Sequence, residues 1–114
     1  MAMFYSNNSE GYKQAAPGIR MKTLVYGEKT LLAEFRMALG SRLPRHAHPQ
    51  EQTGRLIAGR IRLTIGEETR EMEPGDSWNV PASVEHEAEI LADSVAVEVF
   101  SPIREDYLPE KGKT

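Results

Sequence analysis

Residues 40–52 read GSRLPRHAHPQEQ, and residues 74–86 read PGDSWNVPASVEH. These two segments contain all three histidines of the 114-residue chain. Successive side chains of a strand alternate faces, so His46 and His48 can project the same way, while His86 must arrive from another strand. Two imidazoles on one strand and a third opposite form a convergent donor set that suits a first-row divalent cation. The pattern predicts one metal site.

The sequence around these segments has the periodicity of strands. Apolar side chains alternate with more polar ones in three runs, at 31–37, 61–65 and 95–99. Turn residues separate the runs at 26–28, 39–41, 58–60, 65–68 and 73–76. No segment shows a helical stripe. We therefore expect an all-β sandwich or barrel.

Length and composition favour one small domain. With 39% hydrophobic residues, 114 residues can form one core and little more. We expect a single domain over 1–114, with its core at about 18–108 and mobile N- and C-terminal tails, the latter being the polar stretch 108–114.

Charge and cysteine content exclude several protein classes. The formal net charge of −3 provides no basic field, so we expect no nucleic-acid partner. No apolar stretch is long enough for a membrane span and no secretory leader is visible, so we expect a soluble cytoplasmic protein without a membrane partner. The chain has no cysteine, so metal ligands must be nitrogen or oxygen atoms.

Both segments resemble the two motifs of the cupin superfamily, G-x5-H-x-H-x3,4-E-x6-G and G-x5-P-x-G-x2-H-x3-N. The matching positions are Gly40, His46, His48, Gln52 and Gly59, then Gly75, Pro81, Ser83, His86 and Ile90. Spacing agrees throughout, with Gln52 in place of Glu, Ser83 in place of Gly and Ile90 in place of Asn. The resemblance implies a double-stranded β-helix, the cupin jelly-roll barrel.

The resemblance also implies one divalent transition metal, Ni, Fe, Mn, Cu or Zn, bound by His46, His48, Gln52 and His86. Glu51 competes with Gln52 as the fourth ligand. Strand parity from His48 favours Gln52, although a loop at 49–50 would break that parity. A neutral amide in place of a carboxylate leaves the metal a stronger Lewis acid.

A narrower resemblance, to the small pectin-degradation (KdgF-type) cupins, covers residues 18–108. Residues 97–108 read VEVFSPIREDYL, similar to the family pattern D-x-F-S-P-x-R-x-D-[FY]-L. The acid, Phe and Arg proposed for catalysis and substrate binding in that family correspond to Glu98, Phe100 and Arg104. The resemblance implies ring opening of 4,5-unsaturated monouronates from pectin or alginate to linear 4-deoxy-5-ketouronates.

Several alternatives stay open at this stage. Glu98 could lie on a solvated face and only form salt bridges, and Arg104 could be a surface charge. Trp78 is interpreted as packing. An Fe(II)-dependent cupin oxygenase and a non-catalytic sugar-binding cupin are the rival functions, because fold alone does not choose among them.

The expected partners are a small-molecule uronate substrate and a second copy of the chain. Jelly-roll cupins usually pair through sheet edges. Residues 21–26 are the candidate edge strand that a homodimer would cover.

Overall fold

The computed structural model describes residues 3–109, which form eight β-strands and a final 3-10 turn. The elements are β1 (Lys13–Ala16), β2 (Ile19–Tyr26), β3 (Leu31–Met37), β4 (Arg42–His46), β5 (Glu51–Ile65), β6 (Glu68–Met72), β7 (Ser77–Val80), β8 (His86–Ser101) and η1 (Glu105–Tyr107). No helix within residues 3–109 is long and apolar enough to cross a membrane.

The strands pair antiparallel in the order β1-β2-β3-β8-β5-β6, with β4 also paired to β8 and β7 also paired to β5. Strands β5 and β8, of 15 and 16 residues, pair with each other along most of their length and carry the shorter strands on both sides. The predicted all-β jelly roll is confirmed.

Alternate residues of each long strand face the barrel interior. On β8 the buried positions include His86, Ala88, Ile90, Ala96, Glu98 and Phe100. Large apolar side chains from neighbouring strands complete the core, among them Ile19, Met21, Leu31, Phe35, Leu56 and Ile61. Burial of such side chains is the main favourable term in folding. The interior therefore combines an apolar core with three buried polar residues of β8, His86, Ser94 and Glu98.

Residues 58–60 form no turn, contrary to the prediction. They belong to β5, where the pairing with β8 shifts register on both sides of Ala58. Gly59 has φ +93°, and a β-carbon there would collide with Ser94. Ser94 Oγ in turn accepts a hydrogen bond from the Arg60 N–H (3.0 Å). The glycine marks a β-bulge that bends a continuous strand.

The predicted edge strand is also partly wrong. Strand β2 pairs with β3 along its length, and β1 covers its first residues through the pairs Lys13–Met21 and Ala16–Ile19. The outer edge is therefore β1 beside residues 19–21, whereas residues 22–26 pair with β3 alone among the described strands and form an edge as predicted. Of the predicted C-terminal tail, residues 110–114 lie outside the described part of the chain.

Candidate functional site

The three histidines converge at one end of the barrel. His46 ends β4 and pairs with His86 at the start of β8, while His48 lies in the connection to β5. One nitrogen from each ring lies within 4.8 Å of the others, and the His46 and His86 ring centroids are 4.1 Å apart. Strand alternation predicted this convergence for the wrong reason, because His48 lies beyond the strand and reaches the site from a loop.

Backbone carbonyls hold the Nδ1 atom of each imidazole. The pairs are His46 with Pro44 O (2.7 Å), His48 with Gln50 O (3.0 Å) and His86 with Val84 O (2.9 Å). A carbonyl oxygen only accepts, so a proton on Nδ1 satisfies each contact. This tautomer leaves an Nε2 lone pair on every ring, which is how metal-binding imidazoles are usually oriented.

Burial keeps two of the histidines neutral. Desolvation lowers the pKa of His86 to about 4, and it is also the largest cause that lowers the pKa of His48. His86 Nε2 is fully buried and has no hydrogen-bond partner among residues 3–109. Such an orphaned buried nitrogen is costly unless a further group binds it.

Gln52 faces the histidines with its amide oxygen. Its Nε2 donates to Glu98 Oε1 (2.6 Å), and its Oε1 lies 3.0 Å from His48 Nε2. A neutral His48 carries only one ring proton, but both of its ring nitrogens face oxygen atoms, Gln50 O and Gln52 Oε1. One of these contacts therefore has no proton and brings a nitrogen lone pair against an oxygen lone pair. A cation between His48 Nε2 and Gln52 Oε1 would remove that conflict.

The donor set therefore fits a divalent transition metal on two observations, the orphaned His86 nitrogen and the opposed lone pairs of His48 and Gln52. The competing residue, Glu51, is exposed, whereas Gln52 is buried. The loop at 49–50 exists, yet the amide still faces the histidines.

Glu98 points into the barrel rather than onto a solvated face. Its side chain is only 7% exposed, and Oε1 accepts two hydrogen bonds, from Gln52 Nε2 and from Trp78 Nε1 (2.8 Å). Desolvation raises the pKa of Glu98, against the opposing effects of these two donors and of the Arg104 charge. A buried carboxyl group with raised proton affinity is typical of a general acid or base.

Arg104 lies at the same cavity with much of its guanidinium already bound. Nε and Nη2 donate to the two carboxylate oxygens of Asp106 (3.2 and 2.7 Å), and Nη1 donates to the Tyr107 hydroxyl (3.0 Å). The side chain is 17% exposed and stacks 4.1 Å above the Tyr107 ring and 5.4 Å from the Phe100 ring centroid. Arg104 is therefore a fixed, partly buried cation rather than a loose surface charge.

Phe100 and Tyr107 form an aromatic wall beside this cation. Their ring centroids lie 5.3 Å apart in an edge-to-face arrangement, and Phe100 also meets the His48 ring edge-on at 5.9 Å. Phe100 is 1% exposed. Burial raises the pKa of Tyr107 to about 12, so its hydroxyl stays protonated at neutral pH.

A cavity of about 40 Å³ lies between these groups. Its polar lining consists of His46, Gln52, Trp78, His86, Glu87, Glu98, Arg104 and Tyr107. This volume holds a few water molecules. A sugar acid requires the partly exposed side chains of the lining to move apart.

The structure brings all seven candidate residues to one end of the barrel, together with three that sequence reasoning did not assign. Trp78, interpreted as packing, donates to Glu98, while Asp106 and Tyr107 hold Arg104. Asp106 and Tyr107 belong to the quoted C-terminal pattern, which was the available signal. Trp78 gave none, because its partner is 20 residues away in sequence.

Comparison with known proteins agrees with this architecture. The family model described as Cupin domain matches residues 33–101. KdgF from Halomonas sp. superposes with a TM-score of 0.87 at 26% sequence identity, over 95% of this chain and 100% of that one. No curated protein sequence matches.

Two more distant structures share the fold. An RmlC-like cupin from Shewanella frigidimarina has a TM-score of 0.87 at 21% identity, over 94% of this chain and 97% of that one. A predicted oxalate decarboxylase from Thermotoga maritima has a TM-score of 0.76 at 14% identity, over 89% and 100%. The family match covers more than half of the sequence, and the chain therefore belongs to the cupin family, with a structure that resembles KdgF.

Proposed function

We propose that this protein is a metal-dependent enzyme that opens the ring of 4,5-unsaturated monouronates to give linear 4-deoxy-5-ketouronates. The observation that carries the proposal is the pairing of Glu98 with Gln52. One amide side chain joins a buried carboxyl group to the histidine cluster. The similarity to KdgF across 95% of the chain supports the same substrate class.

The reaction is an isomerisation. In the substrate, the C4=C5 bond is conjugated to the C6 carboxylate, and the ring oxygen joins C5 to the hemiacetal carbon C1. Opening breaks the bond between C1 and the ring oxygen, while the C1 hydroxyl loses its proton and becomes the aldehyde. The ring oxygen keeps the electron pair and becomes the enol oxygen on C5. A proton then arrives at C4 and the C5 ketone forms, so one proton leaves and one arrives.

Glu98 is the group proposed to move that proton. Its Oε1 is occupied by two N–H donors, and Oε2 has no hydrogen-bond partner among residues 3–109. His86 Nε2 is the one fully buried side-chain nitrogen or oxygen without a partner in that part of the chain, so Oε2 is not fully buried. Glu98 lines the cavity, and we propose that Oε2 faces it. An accessible carboxyl oxygen with raised proton affinity suits general acid/base chemistry.

Arg104 is proposed to hold the substrate carboxylate. A guanidinium carries five N–H donors, and three of them bind Asp106 and Tyr107. The two that remain, one on each terminal nitrogen, match the two oxygens of a carboxylate. Phe100 walls the cavity beneath the guanidinium, and the rigid contacts of Arg104 orient the sugar acid.

The metal ligands are proposed to be His46, His48, Gln52 and His86. A bound divalent cation would stabilise negative charge on a substrate oxygen as a Lewis acid. All four ligands are neutral donors, three imidazoles and one amide, and the Glu98 carboxyl group bonds to the Gln52 amide nitrogen. The positive charge of the site is therefore left for the anionic substrate.

The test is to incubate metal-loaded protein with unsaturated monouronate and to follow the loss of conjugated-alkene absorbance above the spontaneous rate in buffer. NMR of the product should show the linear 5-keto acid. Chelator-treated protein and Glu98→Gln protein are the controls. Turnover no faster than in buffer with each of the five candidate metals would overturn the proposal, and dioxygen consumption in the same assay would favour an oxygenase.

We also propose that the chain forms a homodimer and acts in the cytoplasm, as expected from sequence. Light scattering should give twice the mass of one chain across a wide concentration range. A monomer mass throughout that range would contradict the dimer.

A further inference from the structure

We propose that Trp78 is a positioning residue for Glu98, and that Gly54 is the position that admits it. The inference rests on the proposed role of Glu98 in proton transfer. It assigns the indole a task beyond packing, which is to hold Oε1 of the carboxylate so that Oε2 stays in the cavity.

Three strands align the residues concerned. Gly54 on β5 pairs with Trp78 on β7 and with Glu98 on β8. Residues paired across antiparallel strands share one face of the sheet, and all three of these positions face inward. Trp78 and Glu98 are therefore two strands apart, separated by a residue without a side chain.

Gly54 supplies the space that the indole occupies. A β-carbon at Gly54 would lie 2.5 Å from both Cε2 and Nε1 of Trp78 and 2.7 Å from Cζ2. These contacts are far shorter than van der Waals separation, so any larger residue would displace the ring. With glycine there, the indole crosses β5 and Nε1 reaches Glu98 Oε1 at 2.8 Å.

The contact between Trp78 and Glu98 is a directional hydrogen bond, which packing alone does not require. The indole nitrogen only donates, and its acceptor is a carboxylate oxygen that already accepts from Gln52. Two donors on Oε1 fix the rotation of the carboxyl group and leave Oε2 without a competing bond. Gln52 links this group to the histidine cluster, and Trp78 holds it from β7, the strand beyond β5.

Kinetics provide the first test. Trp78→Phe keeps the aromatic bulk and removes the donor, so kcat should fall about 10- to 100-fold, the usual cost of misplacing a reacting group. KM and metal content should stay within about twofold. Thr53→Ala, on the outward face beside Gly54, should leave kcat unchanged. Wild-type kcat in Trp78→Phe, at normal metal content, would overturn the proposal.

NMR provides a second test that needs no turnover. Trp78 is the only tryptophan of the chain, so Zn²⁺-loaded protein should show one indole N–H signal. That signal should be protected from solvent exchange, and both Glu98→Gln and Gly54→Ala should move it. Gly27→Ala is the matched control, because a β-carbon at Gly27 meets nothing within 4 Å.

The two tests separate the inference from the proposed function. An indole signal that exchanges freely and ignores Glu98→Gln overturns the positioning role even if the enzyme opens uronates. A protected signal that responds to Glu98→Gln, in a protein that turns over no uronate, overturns the function and retains the hydrogen bond. A protected signal together with the kcat loss in Trp78→Phe supports both.

Discussion

Two glutamates on β8 show how differently one strand treats the same side chain. Glu89 faces outward, where it accepts from Arg42 (3.1 Å) and Arg62 (3.2 Å). Glu98 faces inward and touches no guanidinium, since its partners are the N–H groups of Gln52 and Trp78. The outer face of β5, β6 and β8 continues the first pattern through pairs of Arg60 and Arg62 with Glu71.

The outer glutamates are paired with positively charged groups, whereas the inner glutamate has no charged hydrogen-bond partner. Outside, water and guanidinium groups stabilise the carboxylates, and such exposed pairs contribute little to stability. Inside, burial opposes ionisation of Glu98, while neutral donors fix its geometry. The outer carboxylates thus form surface ion pairs, and the inner one, Glu98, is the carboxyl group proposed to take part in the chemistry.

The largest effect should come from removing the proposed metal ligands inside the barrel. Purified protein is expected to carry about one divalent ion per chain, and the double variant His48→Ala/His86→Ala should lose both the ion and all turnover above the spontaneous rate. Elemental analysis measures the ion. Full occupancy in the double variant would contradict the assigned ligands.

Exchanging the two glutamates tests the comparison directly. Glu98→Gln should lower kcat about 10²–10⁴-fold, since glutamine keeps shape and hydrogen bonding but cannot exchange a proton. Metal content and substrate affinity should stay nearly unchanged. Glu89→Gln is the matched control on the outer face and should keep wild-type kinetics. Equal effects of both variants would remove the distinction between the two faces.

Arginines on the two faces should also differ. Arg104→Lys keeps the charge but loses the two-pronged contact, so we expect KM to rise about tenfold with a smaller change in kcat. Arg42→Lys, in an exposed pair with Glu89, should leave both constants unchanged. Steady-state kinetics on unsaturated uronate measure the two. A kcat loss at constant KM in Arg104→Lys would assign Arg104 to the chemical step instead.

The smallest effect should belong to the outer ion pairs. Hydrogen bonds from Arg60 and then Arg62 lower the pKa of Glu71 below its ordinary 4.5. A lowered folded-state pKa contributes stability above pH 4.5, which is lost as pH falls through the folded value. Urea unfolding should therefore show Glu71→Gln slightly less stable than wild type at pH 7 and equal to it at about pH 2.

High salt should shrink the same difference at pH 7, because exposed charges are screened. Glu67→Gln is the control, since Glu67 forms no ion pair within residues 3–109. A difference that persists unchanged from pH 7 to pH 2 would exclude ionisation of Glu71 as its cause.

Local pattern and motif resemblance were enough to predict the all-β barrel and to select the residues that the structure gathers at one end. Alternation places Glu98 and Phe100 on one face, but it cannot tell which face is inside. In the structure, where β8 pairs with β5, both residues are buried and lie on the inner face. The segment around Gly59 was predicted as a turn because glycine is typical of both turns and β-bulges. Only the pairing with a partner strand distinguishes a bulge from a turn.

Contacts across strands could not be predicted from one sequence. The hydrogen bond from Trp78 to Glu98 depends on the pairing of both residues with Gly54, and the state of Arg104 depends on Asp106 turning back to meet it. His48 reaches the site from a loop, and the path of a loop cannot be predicted from side-chain alternation. Each of these is set by tertiary packing rather than by local preference.

The row of Trp78, Gly54 and Glu98 also affects how faithfully the barrel folds. A slip of β5 by one residue against β8 would turn its inward set outward, which would bring Arg55 into the interior and take Gln52 out of it. Glu98 would lose its amide donor, and a side chain would stand where the indole must cross. A buried charge without its partners is expensive. The residues proposed for chemistry therefore raise the free energy of a barrel with shifted strand register. Selection for turnover would also maintain the correct register.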